Sequence, residues 1–191
     1  MKILFFILFL LYTMSLWGQH QAPAPLFRDP ITDGAADPVL IWNRTEKNWW
    51  MLYTQRRANS ETADVAYCYG NQIGIASSDD HGQSWVYRGT LDLDIEPGHN
   101  TFWAPDVVKL NDGTYKLYYC NCKGDSPLSC LGTAVSDSAE GPYTNEGIML
   151  KSGMSASEKD EDGNLYQATT DPNVVDPVVF YDNEGKLWMI Y

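Results

Sequence analysis

Three aspartates stand at the start of short apolar runs: Asp37 in Asp37-Pro38-Val39, Asp106 in Pro105-Asp106-Val107 and Asp176 in Asp176-Pro177-Val178. Asp106 follows Asp37 by 69 residues (106 − 37), and Asp176 follows Asp106 by 70 (176 − 106). Carboxylates gathered from distant positions do acid–base work. Hydrolysis of a sugar acetal needs one to activate water and another to protonate the leaving oxygen. A third close by raises the acid's pKa by like-charge repulsion. An Asp-Pro pair at a strand start is equally a turn whose carboxylate caps backbone donors, and spacing alone leaves both readings open. Asp29-Pro30 is read as such a turn.

The elements that position these groups repeat with them. Asp37 to Trp42, a loop at residues 44–48 and Trp49 to Tyr53 form the first copy. Pro105 to Leu110, Asn111-Asp112-Gly113 and Tyr115 to Tyr119 form the second. Asp176 to Tyr181, Asn183-Glu184-Gly185 and Leu187 to Tyr191 form the third. Each reads as a β-hairpin of β-branched and aromatic residues around a turn. In the first two copies a second hairpin follows, Gln72–Ala76 with Trp85–Tyr87 and Leu131–Val135 with Tyr143. Four strands per 70 or so residues make a propeller blade, so the chain reads as all-β with about two and a fraction blades. In a propeller the innermost strands border a central channel. Asp37, Asp106 and Asp176 are therefore expected at equivalent places around one pocket. A chain stopping inside the third hairpin is expected to be the leading part of a longer ring.

Ser78-Asp79-Asp80-His81-Gly82-Gln83-Ser84-Trp85 fits the S-x-D-x-G-x-S-W pattern called an Asp-box. It is read as a turn device in which Asp80 accepts backbone N–H groups, Gly82 takes positive φ and Trp85 packs beneath.

A net charge of −12 and a pI of about 4.4 exclude nucleic acid and anionic membranes as partners, since both demand basic patches. With 44% apolar and 13% aromatic residues the chain can bury a core. Lys2, the apolar run Ile3–Leu11 and the smaller residues Ser15, Gly18 and Gln19 read as a cleaved signal peptide over residues 1–19. The mature part, 20–191, is then secreted or periplasmic, with no membrane association after cleavage. Export permits disulfides among Cys68, Cys120, Cys122 and Cys130 with the connectivity left open, Cys122 to Cys130 across the loop Gly124–Pro127 being one pairing. The cysteines lack paired zinc-site spacing. Asn43-Arg44-Thr45 is a glycosylation sequon, meaningful only in a host that glycosylates.

Ala36-Asp37-Pro38-Val39, Phe102-Trp103-Ala104-Pro105-Asp106-Val107 and Asn173 to Phe180 resemble the three signature blocks of glycoside hydrolase family 43. The resemblance spans Asp29 to Tyr191 and implies a five-bladed β-propeller acting on arabinan, xylan and related polymers with inversion. By motif, Asp37 would be the general base and Asp176 the carboxylate that raises the acid's pKa. Trp103 would line the sugar pocket, Asp106 would support its floor, and Asn173 is a further candidate for substrate contact. The general acid, a Glu, is expected beyond Tyr191. Glu140 sits in an ordinary outer-strand turn, and Glu96, Glu158 and Glu161 have no motif around them. This chain alone is therefore not expected to hydrolyse efficiently.

The resemblance implies a polysaccharide or oligosaccharide as partner and no redox cofactor. It allows a structural Ca²⁺ in the channel, which no ligand set in the sequence demands. Arg28–Arg57 also resembles related propellers acting on algal galactan oligosaccharides, the rival enzyme reading, and a non-catalytic carbohydrate-binding propeller is the rival outside enzymes. A sialidase reading lacks an arginine triad: Arg28, Arg44, Arg56, Arg57 and Arg88 all fall in or before the first repeat.

Overall fold

A computed structural model describes residues 25–61, 66–93, 95, 100–123, 129–152 and 173–191. The signal-peptide segment, Glu96, the loop Gly124–Pro127, Glu158 and Glu161 lie outside the described residues.

Ten strands form. β1 (Ala36–Asn43), β2 (Asn48–Thr54), β3 (Ile73–Ser78) and β4 (Val86–Thr90) pair in that order as one antiparallel sheet. β5 (Thr101–Lys109), β6 (Tyr115–Cys122), β7 (Ser129–Ser136) and β8 (Thr144–Lys151) make a second sheet of the same topology. β9 (Val178–Tyr181) and β10 (Leu187–Ile190) form a hairpin that begins a third. The three repeats are thus two complete blades and the first hairpin of another. Among the described residues the one helical element is a single 3₁₀ turn, Ala66–Cys68.

The blades stack through their faces. Leu52, Ile73, Phe102, Val107, Leu117 and Tyr119 are buried between the first two sheets, with Val39 and Ile41 packed against them. Cys120, Leu131 and Val174, with Trp103, Val175 and Met189, join the second sheet to the third hairpin. Each blade is also locked by one aromatic. Tyr53 pairs across the strands with Gly74, and Tyr119 with Gly132. A Cβ on either glycine would sit 2.3–2.4 Å from the tyrosine ring, so only glycine admits the ring there.

The Asp-box folds as the sequence implied. Asp80 accepts the Ser84 N–H at 2.8 Å and the Ser78 and Ser84 hydroxyls at 2.8 and 2.6 Å. Gly82 has φ of +84° and Trp85 packs on Met51, Tyr53 and Ala76. Asp29 is likewise structural, its carboxylate taking N–H groups of Ile31 and Thr32, the Tyr53 hydroxyl at 2.5 Å and the Gln55 amide.

The Cys122–Cys130 disulfide does not form, and strand register gives the reason. Cys122 lies opposite Ser129, whereas Cys130 lies opposite Asn121. Cross-strand partners share a face and successive residues alternate, so the two thiols leave the sheet on opposite sides. The Cys130 Sγ instead donates to the Asn121 carbonyl at 3.2 Å. Asn43 is fully buried, its Oδ1 capping the turn through the N–H groups of Thr45 and Glu46, so the sequon presents no accessible amide.

Candidate active site

Both inner strands break at the same place. Between β1 and β2 the register slips by one residue between Ala36 and Val39, and between β5 and β6 it slips likewise between Trp103 and Asp106. Each slip places two residues, Asp37-Pro38 or Ala104-Pro105, opposite the single tyrosine that locks the blade. The residue before each proline has positive φ: +50° at Asp37, +42° at Ala104 and +54° at Asp176. A non-glycine residue held there costs on the order of 1–3 kcal/mol, and such strain gathers where chemistry is built.

This geometry corrects the expectation that Asp37, Asp106 and Asp176 occupy equivalent places. The equivalent of Asp37 and Asp176 in the second blade is Ala104. In that blade the proline precedes the aspartate instead of following it, so Asp106 stands where Val39 and Val178 stand in the other two. The near-constant spacing of the aspartates conceals this two-residue offset.

The three carboxylates nevertheless converge. A cavity of about 370 Å³ is lined by Asp37, Ala104, Asp106, Asp176 and their flanking prolines and valines. A second, of about 330 Å³, is lined by Asp37, Arg56, Cys68, Tyr69, Trp103, Val175 and Asp176. Asp37 and Asp176 border both. The first cavity is a floor between the bulges, and the second is a cleft walled by aromatics. Among the described residues no glutamate lines either.

Asp106 lies on the floor and is half-buried, with its Oδ2 accepting the Val179 N–H at 2.6 Å across to β9. Burial raises its pKa above the ordinary value, against the pull of that hydrogen bond and one from the Val107 N–H. Asp176 is raised chiefly by burial and next by the neighbouring charge of Asp37, while Arg56 acts the other way. Its backbone N–H donates to the Cys120 Sγ at 3.1 Å, tying the segment before β9 to β6.

Trp103 is fixed edge and face. Its indole N–H donates to the Cys68 carbonyl at 2.6 Å, and its ring lies 5.7 Å from that of Tyr69 at 52°. The 3₁₀ turn bearing Cys68 is itself held by the Asn71 amide. Arg56 reaches over the Tyr67 ring at 5.8 Å and places its guanidinium 3.9 Å from Asp37 Oδ2. Asn173 stands apart from these and borders neither cavity. Its side-chain oxygen accepts from the Ser129 hydroxyl at 2.8 Å and from the Ser152 hydroxyl, bracing the segment before Asp176 against the second blade.

Sequence reasoning passed over Thr54, Arg56, Cys68 and Tyr69. Arg56 stands in the sequence only among the arginines that fail to form a sialidase triad, although its place just beyond the strand paired with β1 is a signal. The others depend on the bulge and on the turn at residues 66–71. Among the described residues no group of three or more His, Cys, Asp and Glu side chains is placed to hold a metal ion. No helix among them is long and apolar enough to cross a membrane.

Four-stranded antiparallel blades whose inner strands open on a shared carboxylate-lined cleft define a β-propeller with its site at one mouth of the ring. The chain belongs to glycosyl hydrolases family 43, whose model matches residues 90–191, just over half of it. The propellers of that family are five-bladed, and this chain supplies about two of the blades. It is 43% identical over 147 residues to the extracellular endo-α-(1→5)-L-arabinanase 2 of Bacillus subtilis, covering 69% of this chain and 31% of that protein. It is 49% identical over 150 residues to the extracellular endo-α-(1→5)-L-arabinanase of Thermotoga petrophila, covering 69% and 32%. The crystal structure of the Thermotoga petrophila endo-1,5-α-L-arabinanase superposes with a TM-score of 0.57 at 31% identity, over 88% of this chain and 36% of that one. The chain thus spans about a third of the length of the curated relatives it matches.

Proposed function

We propose that this chain carries the base-bearing part of a secreted enzyme that hydrolyses α-1,5-linked arabinan with inversion. The observation that carries the reading is the convergence of Asp37 and Asp176 on one cleft walled by Trp103 and Tyr69. The chain's identity to two proteins named endo-arabinanases supports the substrate class. Asp37 takes a proton from the attacking water. Asp176 acts on the proton affinity of the general acid, which a further part of the ring supplies. Trp103 and Tyr69 offer flat apolar faces to the sugar, and Asp106 holds the floor through Val179. Asn173, tied to Ser129 and Ser152, braces the third block. The relatives' description as extracellular agrees with reading residues 1–19 as an export signal.

The test is the full-length protein with linear arabinan. Short arabino-oligosaccharides should accumulate before free arabinose, and proton NMR should show each new reducing end first as the β anomer. Release of arabinose alone would replace the endo reading with an exo one. Retention of the α anomer would remove Asp37 from the role of base. Binding of arabinan without any cleavage would make the protein a carbohydrate-binding propeller.

A further inference from the structure

Thr54 ends β2, is fully buried and borders neither cavity, yet it touches the site from two blades. Its hydroxyl lies 2.9 Å from Asp37 Oδ2, and the backbone N–H of Ala104 donates to that hydroxyl, also at 2.9 Å. The register slip in β5 leaves the Ala104 N–H without a ladder carbonyl, and the hydroxyl satisfies it. A hydroxyl has one proton. Since it accepts from Ala104, the proton it donates goes to Asp37.

We propose that Thr54 is the positioning residue of the base. It clamps Asp37 Oδ2 so that Oδ1 is the oxygen turned to the water, and it ties that orientation to the bulge of the second blade. Arg56 reinforces the clamp, its guanidinium approaching the same Oδ2 at 3.9 Å. Among the described residues no hydrogen bond reaches Oδ1. The other ionisable groups around the two cavities are Cys68 and Tyr69 from the turn after β2, Asp106 from β5 and Asp176 from the segment before β9. Against these groups, the Thr54 hydroxyl makes a hydrogen bond of normal length to the base. The inference rests on reading Asp37 as the base of an arabinan hydrolase.

Thr54→Val in the full-length protein keeps the shape and removes the hydroxyl. Removing the one hydrogen bond that orients the base should lower kcat roughly tenfold or more, with KM little changed. Thr54→Ser should recover most of the lost kcat. A valine variant whose kcat is unchanged or whose loss falls on KM, or a serine variant as impaired as valine, overturns the proposal. Should the valine variant not fold, the wild type still decides. The Thr54 hydroxyl proton should give a slowly exchanging NMR resonance that disappears in Asp37→Ala. A resonance unmoved by that substitution overturns the clamp. Absence of arabinan hydrolysis by the wild type would instead sink the functional reading.

Discussion

Two sets of aspartates in this chain sit at turns and bulges, and the fold uses them in opposite ways. Asp29 and Asp80 are saturated with donors, four partners to the first and three to the second. Burial works to raise Asp29, but hydrogen bonds from Tyr53, Thr32, Gln55 and Ile31 outweigh it and hold it below its ordinary value. Asp80 is held at about 2 by the Ser84 hydroxyl and N–H and the Ser78 hydroxyl. Asp106 and Asp176, by contrast, face cavities with few donors and are raised. Asp37 has one hydrogen bond and one loose ion pair. An Asp in a turn signature is therefore structural where the local backbone meets its lone pairs, whereas Asp37, Asp106 and Asp176 are left facing a shared cavity.

The sharpest way to break that comparison is to neutralise one member of each set. Asp37→Asn and Asp176→Asn should each lower kcat on arabinan by about 10³-fold or more, because each removes a group from the reacting centre. Asp80→Asn should leave kcat within about twofold, because its loop forms neither cavity. Equal losses in all three, assayed on linear arabinan at one pH, would erase the distinction.

Most of the scaffold was legible before any coordinates. Strand period, turn residues and the repeat are local signals, and the hairpins they implied form, although β5 starts earlier, at Thr101, and β8 lies beyond Tyr143, at Thr144–Lys151. The Asp-box was legible for the same reason, since its donors lie within six residues of Asp80. What escaped depended on register. A one-residue slip decides whether Cys122 and Cys130 share a face, and the sequence does not display it. The order Ala104-Pro105-Asp106, against Asp37-Pro38, displaces the second aspartate by two positions, yet spacing hides the change. Thr54 reads as the unremarkable end of a buried strand until the bulge brings Asp37 above it.

A second prediction compares the blades that carry the two sets. Gly74 and Gly132 each leave room for the tyrosine that faces the bulge. Gly132→Ala would drive a methyl into the Tyr119 ring, which is buried and hydrogen-bonded to Asn145 at 2.8 Å. Overpacking of this kind costs about 1–3 kcal/mol, read as a lower denaturation midpoint with unchanged denaturant slope. Gly185→Ala, at an exposed turn with open space around the position, should cost less, from its φ of +77° alone. A larger loss at Gly185 than at Gly132 would mean that the tyrosine lock contributes little.

The smallest effect separates the aspartates by the sign of their pH dependence. For Asp80, held at about 2, the folded chain binds the proton less tightly than the unfolded chain. Its contribution to stability is complete above the ordinary value of 3.8 and is lost as pH falls toward 2. For Asp176, raised by burial and by Asp37, the folded chain binds the proton more tightly. The stability linked to that proton is full below the ordinary value of 3.8 and declines as pH rises through the raised value. Asp80→Asn should therefore melt below the wild type at pH 7, and the gap should narrow as pH falls toward 2. Asp176→Asn should melt above the wild type at pH 7, and that gain should vanish once the wild-type carboxyl is protonated. Thermal melts of the two variants and the wild type between pH 2 and 7 read both signs in one series. A Tm for Asp176→Asn below that of the wild type at neutral pH would show that its ionised carboxylate stabilises the fold, and Asp176 would then belong with Asp29 and Asp80.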